Sequence, residues 1–498
     1  MRLWELCAAA GLACSCGDRE ITGICSDSRR AKAGDLYVCI NGLHTDGHAY
    51  AAAAVQSGAV CVLAERVEGL SELAVPILLC KDTREALAYL WHAWYGFPAR
   101  RLKLIGVTGT NGKTTVTHML RGILEGALHR CGLIGTVGVE AMGKVLPCAA
   151  DDALANMTTP DPEQLYRVLR DMADMGVEYV VMEVSSHALA LKKVAPLHFK
   201  AAVFTNLTSE HLDFHGTMDA YADAKATLFK QAELCVLNSD SPYAPLMRAR
   251  AMGTCVDCGT AGDYLADDVV SLGTRGVRYR LCGENCRMQI SCPIPGDFTV
   301  INSLQAAVCA MKLGCSPAVV KTALATMKPV KGRMERVRLG VGAEFTVLID
   351  YAHTPDALEK LLYSVRPMVE KGGRLTLLFG CGGDRDKGKR PIMGEIASRL
   401  ADVVILTSDN SRSEEPTEIL KQIREGIRKK DALYVIPDRE AAIRFAVTSA
   451  QKGDLILLAG KGHEEYEITS AGRRRFSEKE IVQDAFQALT RKKTEPTI

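Results

Sequence analysis

The sequence GVTGTNGKTT occupies residues 106–115, after an apolar, β-branched run at residues 102–107 and before a helical pattern. Gly109 and Gly112 allow backbone N–H groups to converge on phosphate oxygens, and the amino end of the following helix favours negative charge. Lys113 is spaced to reach the outer phosphates of a nucleotide, and a following threonine to place its hydroxyl on Mg²⁺. We therefore predict a phosphate-binding loop here rather than an ordinary glycine-rich turn. Its candidate contacts are Gly109, Thr110, Asn111, Gly112, Lys113, Thr114 and Thr115.

Short apolar runs alternate with longer segments rich in Ala, Leu, Glu and Lys along almost the whole chain. This alternation is typical of β–α units around mostly parallel sheets, and the loops at the carboxyl ends of such strands carry ligand sites. The predicted strands are 35–40, 102–107, 178–184, 201–206, 345–350, 375–379, 402–407 and 454–459.

Two breaks divide this α/β pattern, at YGFPARR (residues 95–101) and at a basic stretch containing Gly and Pro (residues 328–342). A chain of 498 residues exceeds one hydrophobic core, and about 150 residues per domain predicts three domains. We place them at residues 1–98, 99–332 and 333–498. Each is expected to hold a mostly parallel sheet flanked by helices, the central one with the phosphate loop and the last one Rossmann-like.

Charge and composition bear on which classes of partner are expected. The 61 basic and 59 acidic residues give a net charge of +2, which gives no reason to expect a nucleic acid or an anionic membrane. The sequence contains no run of ~18 uncharged apolar residues, the length that could span a bilayer. The 18 cysteines are too few for a disulfide scaffold and often lie in apolar stretches. We expect a cytoplasmic protein that binds small molecules.

One group of cysteines has gaps short enough to suggest a metal, although they match no standard zinc knuckle. A non-enzymatic zinc or redox protein therefore remains an alternative hypothesis, and stoichiometric zinc would support it. These cysteines are Cys255, Cys258, Cys282, Cys286 and Cys292.

Acidic and histidine side chains follow the strands downstream of the loop. The strand at 178–184 ends in EVSSHAL, and the next in NLTSEHLDFHG (residues 206–216), followed by YADAK (residues 221–225). Carboxylates and imidazoles at adjacent strand ends predict a metal–phosphate site. The alternative, a P-loop NTPase switch or motor, is disfavoured by the early Gly106, by these histidines and by the lack of a basic patch. The side chains concerned are Glu183, His187, His211, His215 and Lys225.

The ordered motifs resemble those of the Mur ligase family, and the resemblance covers all three predicted domains. It implies ATP-driven amide formation in peptidoglycan precursor synthesis: a carboxylate attacks the γ-phosphate, and an amine then displaces phosphate from the acyl phosphate. A related ligase such as folylpolyglutamate synthetase is the alternative, but should lack the uridine pocket and DNSR. Further motifs are TTPDP (158–162), KGRMERV (331–337), DYAHTPDAL (350–358), GCGGDRDKGKRPIMG (380–394), DNSR (409–412) and AGKGHE (459–464).

The resemblance implies roles for individual residues. Thr114 and Glu183 would serve a Mg²⁺ on the ATP phosphates, and His211 a second Mg²⁺. Lys225 would be carbamylated, which turns its amine into a hard oxygen ligand; without the resemblance it would be read as a surface lysine. The catalytic candidates are Lys113, Glu183, His211 and Lys225. The implied nucleotide contacts outside the loop are Asn302, Arg333 and Asp350.

The amino-terminal segment SDSRRAKAGDLYVCINGLHTDGH (residues 26–48) resembles the family's uridine-nucleotide pocket, whereas without the family DSRR is a solvated turn. Relatives often carry Gln and Arg where this chain has Leu191 and Lys193. Lys193 keeps the charge but lacks the guanidinium fork. The implied contacts to the UDP-muramoyl dipeptide are Ser28, Leu43, His44, Thr45, Thr158, Thr159, Ser185 and Lys193.

The added amino acid is usually meso-diaminopimelate or L-lysine, which differ by one distal carboxylate. Diaminopimelate ligases of the family carry DNPR, whose arginine grips that carboxylate; here Ser411 replaces the proline and Arg412 remains. Glu464 suits the distal ammonium. We predict meso-diaminopimelate, with L-lysine as the alternative, and a monomer on family grounds. The implied amino-acid contacts are Arg385, Asp409, Asn410, Ser411, Arg412, Gly460 and Glu464.

Overall fold

The computed structural model describes residues 1–14, 17, 19–42, 45–146, 157–428 and 431–494. Within these residues the chain forms three α/β lobes, each built on its own mostly parallel sheet. This confirms the predicted fold class.

The amino-terminal lobe is a parallel sheet in the order β1-β2-β3-β4 with helices packed on it. The side chain of Asp82 accepts the backbone N–H of Glu85 and so caps the last helix. The elements are α1 (Leu3–Ala9), β1 (Gly23–Cys25), β2 (Asp35–Val38), α2 (Ala51–Gln56), β3 (Cys61–Ala64), β4 (Ile77–Leu79) and α3 (Thr83–Trp94).

The first half of the central lobe contains the phosphate loop between a buried strand and an amphipathic helix. Its elements are β5 (Lys103–Thr108), α4 (Lys113–Gly126), β6 (Cys131–Gly135), β7 (Gly138–Ala141), β8 (Lys144–Val145), α5 (Pro162–Asp174), β9 (Tyr179–Glu183), α6 (Ser186–Ala190) and β10 (Phe199–Phe204).

The second half of the central lobe extends the sheet to an antiparallel edge, and its last two helices pack back on the lobe. Its elements are α7 (Leu212–His215), α8 (Met218–Ala226), β11 (Ala232–Asn238), α9 (Ala244–Arg250), β12 (Thr254–Cys258), β13 (Tyr264–Ser271), β14 (Val277–Gly283), β15 (Cys286–Cys292), α10 (Phe298–Lys312) and α11 (Pro317–Ala325).

The order of the central sheet places the candidate loops together. It runs β15-β14-β13-β12-β11-β10-β5-β9-β6-β7-β8, with parallel pairing from β13 to β6 and antiparallel pairing at both edges. β5 lies between β9 and β10, and Val107 is in register with both Glu183 and Val203. The carboxyl ends of these three strands therefore meet at one edge.

The carboxyl-terminal lobe has the sheet order β16-β17-β21-β18-β19-β20, parallel except for β16, and a hairpin of β22 and β23. Its elements are β16 (Glu335–Arg336), β17 (Thr346–Asp350), α12 (Pro355–Val365), β18 (Leu375–Phe379), α13 (Lys389–Leu400), β19 (Val403–Leu406), α14 (Pro416–Glu425), β20 (Leu433–Val435), α15 (Arg439–Thr448), β21 (Leu455–Ala459), β22 (Tyr466–Thr469), β23 (Gly472–Arg475) and α16 (Glu478–Thr494).

The central sheet buries apolar side chains on both faces, as a doubly covered parallel sheet must. Ile105 and Val107 pack in the same cluster as Leu120 of α4, whereas Leu104 packs with Leu169 of α5 on the opposite face. Alternate residues of β5 thus anchor opposite helix layers and hold the end of the strand, where the phosphate loop starts, in a fixed position.

Candidate active site between the central and carboxyl-terminal lobes

The phosphate loop requires glycine at two positions. Gly109 has φ +148° and Gly112 φ +85°, and a Cβ on them would lie 1.9 Å from Thr205 Oγ1 and 2.7 Å from Asn302 Oδ1. The Nζ of Lys113 donates to the carbonyls of Gly109 (2.9 Å) and Thr110 (2.8 Å). The loop therefore holds a lysine ammonium and the amino end of α4 at one place, which suits an anion.

A cavity of about 440 Å³, here called the junction cavity, opens between the central and carboxyl-terminal lobes. Most of the predicted nucleotide contacts face it, together with one predicted amino-acid contact. These lining residues include Thr110, Asn111, Gly112, Lys113, Thr114, Thr115, Glu183, His211, Asn302, Arg333, Asp350 and Arg385.

Glu183 ends β9 and is 1 % exposed. Its carboxylate accepts the backbone N–H (2.9 Å) and the hydroxyl (3.1 Å) of Thr136. The hydroxyls of Thr136 and Thr158 lie 3.1 Å apart. Thr136, which the sequence analysis did not identify, thus fixes both oxygens of this carboxylate at the wall of the junction cavity.

The three predicted histidines come together. The ring centroid of His187 lies 4.8 Å from that of His211 and 5.6 Å from that of His215. Nε2 of His215 is 3.0 Å from the hydroxyl of Ser186. Burial lowers the pKa of His211, although the neighbouring Glu210 opposes this. A neutral imidazole is the form that can bind a metal ion.

Lys225 is not a surface residue: it is 1 % exposed, on the inner side of α8. Its Nζ donates to the carbonyl of Gly109 at 2.8 Å and lies 4.7 Å from the ring centre of Tyr221. Burial, together with the charge of Lys113, lowers the pKa of Lys225 well below its usual value. The structure therefore brings Lys113 and Lys225 to the same loop carbonyl.

The carboxyl-terminal lobe contributes Arg333 and Asp350 to this site. Nη2 of Arg333 donates to Thr114 Oγ1 (3.2 Å), and its guanidinium lies 4.7 Å from the ring centre of Tyr351. The Asp350 carboxylate, at the end of β17, accepts the backbone N–H of Met334 (2.8 Å). Burial raises the pKa of Asp350. The sequence analysis did not identify Tyr351 as a site residue, although it lies within the DYAHTP motif.

Three of the predicted amino-acid contacts, Asp409, Asn410 and Glu464, form one cluster connected through Lys461. Nδ2 of Asn410 donates to Glu464 Oε2 (2.7 Å), and its Oδ1 accepts the Nζ of Lys461 (2.9 Å). Burial acts to raise the pKa of Asp409, but the charges of Lys461 and Arg439, together with the backbone N–H of Asn410, leave this pKa below its usual value. Lys461 lies within the AGKGHE motif but was not singled out; fully buried, it joins the DNSR and AGKGHE loops.

Arg412 approaches the glycine-rich loop before α13. Its Nη1 donates to the carbonyls of Gly383 (2.8 Å) and Asn410 (3.3 Å). A Cβ at Gly382 would lie 2.9 Å from this Nη1 and 3.8 Å from Arg385 Cγ. Absence of a side chain at position 382 therefore lets two arginines share one small region.

A second cavity, of about 660 Å³, lies between the amino-terminal and central lobes and is called the amino-terminal cavity. Lys193 lines it and pairs with Asp161 (2.6 Å). The sequence analysis missed its aromatic wall, because an aromatic residue on a helix usually indicates core packing. This wall consists of Trp91, Trp94 and Tyr95.

The predicted uridine contacts are not all gathered in this cavity. Ser28 is absent from its lining, although the adjacent Asp27 lines it. Thr45 is exposed. Leu43 and His44 lie outside the described residues. Thr158, Thr159 and Ser185, the other predicted contacts to the UDP-muramoyl dipeptide, lie nearer the phosphate loop. Thr158 lines the junction cavity, and the Thr159 hydroxyl accepts the backbone N–H of Ser185 at 3.0 Å.

In the part of the chain that the structure describes, no three His, Cys, Asp or Glu side chains are arranged to hold a metal ion, the cysteine group 255–292 included. Among the same residues, no helix has both the length and the apolarity needed to cross a bilayer.

Three family models match consecutive parts of the chain. Those described as Mur ligase family, catalytic domain, Mur ligase middle domain, and Mur ligase, glutamate ligase domain match residues 20–95, 107–310 and 332–462.

Similar proteins match almost end to end. A UDP-N-acetylmuramoyl-L-alanyl-D-glutamate–2,6-diaminopimelate ligase of Caldanaerobacter subterraneus subsp. tengcongensis is 44% identical over 469 residues, 93% of this chain and 94% of that protein. Its namesake from Geobacillus thermodenitrificans is 42% identical, over 91% and 92% of the two chains. A solved structure of a ligase of this name has a TM-score of 0.69 and 30% identity, and the match covers 97% of this chain and 99% of that one.

Proposed function

Because this chain belongs to the Mur ligase family, we propose that it uses ATP to join meso-diaminopimelate to UDP-N-acetylmuramoyl-L-alanyl-D-glutamate in peptidoglycan precursor synthesis. Relatives that are 42–44% identical over most of their length carry the name of this activity. The observation that carries the proposal is the junction cavity, where the phosphate loop of one lobe faces Arg333, Asp350 and Arg385 of another.

The chemistry explains why two lobes are needed. A carboxylate oxygen of the muramoyl dipeptide attacks the γ-phosphorus of ATP, and ADP leaves. The amine of the diamino acid then attacks the acyl carbon, loses a proton and expels phosphate. Lys113 and Arg333 hold the phosphate oxygens, whose negative charge they offset. Closure of the lobes keeps water from the acyl phosphate.

The donor set fits magnesium. Thr114 and Glu183 present hard oxygen atoms at the phosphate loop, and both residues are at least 97 % buried. His211 offers an imidazole at the same cavity. We propose that Thr114 and Glu183 hold one Mg²⁺ on the ATP phosphates and that His211 holds a second, with a carbamylated Lys225 as a further oxygen ligand. When bound, the ions would supply charge that stabilises the transferring phosphoryl group.

Carbamylation of Lys225 needs a neutral amine, because only the free lone pair attacks CO₂. Complete burial and the nearby Lys113 favour the neutral form. The modified side chain would place a carboxylate beside Lys113, where it could pair with the Lys113 ammonium.

The choice of diaminopimelate is supported by Arg412 and Glu464. An arginine fork pairs with the distal carboxylate, and Glu464 with the distal ammonium. L-Lysine lacks that carboxylate and would leave Nη2 and Nε of Arg412 without a carboxylate to pair with. We also propose that the enzyme acts in the cytoplasm, where its nucleotide substrates are made, and as a monomer.

The test is a substrate-resolved assay. The purified protein is incubated with ATP, Mg²⁺, the UDP-muramoyl dipeptide and either meso-diaminopimelate or L-lysine, and phosphate release is measured with the mass of the product. We expect a tripeptide product with diaminopimelate and little with lysine. Phosphate release that ignores the amino acid would refute the ligase, and a preference for lysine would refute the proposed substrate.

A further inference from the structure

One carboxylate of the carboxyl-terminal lobe contacts the phosphate loop directly. Asp356 lies in the first turn of α12, and its Oδ2 accepts the side-chain N–H of Asn111 at 3.1 Å. The same oxygen accepts the hydroxyl of Thr208 at 2.9 Å. Both donors belong to the central lobe, so a single carboxylate joins two of its loops to the neighbouring lobe.

The two donors are themselves rigidly held. The backbone N–H of Asn111 donates to Asn206 Oδ1 (3.0 Å), and its carbonyl accepts the hydroxyl of Thr205 (2.6 Å). The backbone N–H of Thr208 donates to the hydroxyl of Thr110 (3.0 Å). Thr208 also lies three residues before His211, a proposed metal ligand. The contacts of Asp356 therefore reach both the phosphate loop and the loop that carries this histidine.

Asp356 is also held by contacts within its own helix, α12. The Thr354 hydroxyl accepts the N–H of Ala357 and caps α12, whose amino end favours a carboxylate in the first turn. Lys360, one helical turn later, contacts both oxygens of this carboxylate, Oδ1 at 2.8 Å and Oδ2 at 3.0 Å. The carboxylate is thus held by its own helix, and its Oδ2 also accepts the two hydrogen bonds across the interface.

We infer that Asp356 is a positioning residue that holds the carboxyl-terminal lobe closed on the nucleotide-loaded phosphate loop. This inference rests on the proposed function, in which both lobes must meet before the amine can attack. When the lobe swings away, the two hydrogen bonds across the interface break together, because they share one acceptor. The side chains of Asn111 and Thr208 then form hydrogen bonds with solvent instead. The phosphate loop loses its contact with the lobe that binds the amino acid.

The experiment compares Asp356→Ala and Thr208→Val with Glu359→Ala. Glu359 is a matched control on the same helix, since it pairs with Arg399 inside the carboxyl-terminal lobe. kcat and the KM for ATP are measured with all substrates, and the radius of gyration is measured by small-angle scattering with the non-hydrolysable analogue AMPPCP and Mg²⁺.

We expect Asp356→Ala to lower kcat at least about tenfold, because two hydrogen bonds to a charged acceptor are lost, while the KM for ATP stays within about twofold. Its radius of gyration with AMPPCP should exceed that of the wild type. Thr208→Val should act in the same direction, and the double variant should be no worse than Asp356→Ala. Glu359→Ala should match the wild type.

Several outcomes would overturn the inference: wild-type behaviour of both interface variants, a loss of kcat without a change in the radius of gyration, or losses that multiply in the double variant. Thr208→Val carries the test should Asp356→Ala fail to fold. An inactive wild type whose radius of gyration still responds to Asp356→Ala would refute the proposed function and support the inference.

Discussion

Truncation of Arg412 tests the proposed amino-acid selectivity most directly. Nη1 already donates to the carbonyls of Gly383 and Asn410, which leaves Nη2 and Nε for a carboxylate of the substrate. A hydrogen-bonded charged pair of this kind contributes about 3 kcal/mol at most, and about 1.4 kcal/mol corresponds to a factor of ten. Arg412→Ala should therefore lower kcat/KM for meso-diaminopimelate by up to about 150-fold.

The assay measures kcat/KM for each amino acid and, separately, the KM for ATP. Arg412→Lys should fall between the wild type and Arg412→Ala, because an ammonium keeps the charge but not the fork. Arg424→Ala, at an exposed position in the last turn of α14, is the matched control and should change nothing. The reasoning would be refuted if, in Arg412→Ala, the ratio of kcat/KM for diaminopimelate to that for lysine stayed within threefold of the wild-type ratio. It would also be refuted if the KM for ATP rose by the same factor as kcat/KM for diaminopimelate fell.

Three further perturbations probe the rest of the site. Gly109→Ala should abolish ATP binding in a fluorescent-nucleotide titration, because its Cβ would lie 1.9 Å from Thr205 Oγ1 at φ +148°. Gly122→Ala, with nothing within 4 Å in α4, should bind normally and melt no earlier than the wild type; normal binding by both would contradict the loop assignment. Burial and the neighbouring Asp409 raise the pKa of Glu464. The ionised form of Glu464 pairs with the substrate's ammonium, and acidification removes it. Because its pKa is raised, the KM for diaminopimelate should begin to rise at a higher pH than it would with a glutamate of ordinary pKa. A Glu464→Gln variant whose KM depends on pH in the same way as that of the wild type would refute this. Removal of CO₂ and bicarbonate should lower wild-type activity, whereas Lys225→Gln should be inactive in either buffer; equal wild-type rates would argue against carbamylation.

The local elements were predictable from the sequence. The strand at 375–379 is found as Leu375–Phe379, and the other predicted strands agree within a few residues. The phosphate loop joins β5 to α4 where glycine spacing required it. These features depend on near neighbours: the alternation of apolar residues and the backbone freedom of Gly109 and Gly112 act over a few positions.

Only the tertiary structure decided which of these pieces meet. No local signal distinguishes Lys225 from a surface lysine, and its burial follows from α8 packing beneath the loop that β5 presents. Nothing in the sequence pairs Asn111 with Asp356, which are separated by 245 positions, and the absence of Ser28 from the amino-terminal cavity was equally hidden. Such contacts depend on the order of strands and on how lobes pack, both of which arise from interactions between distant segments. The sequence alone therefore determined the chemical groups and their local presentation, while the fold determined which groups share one site.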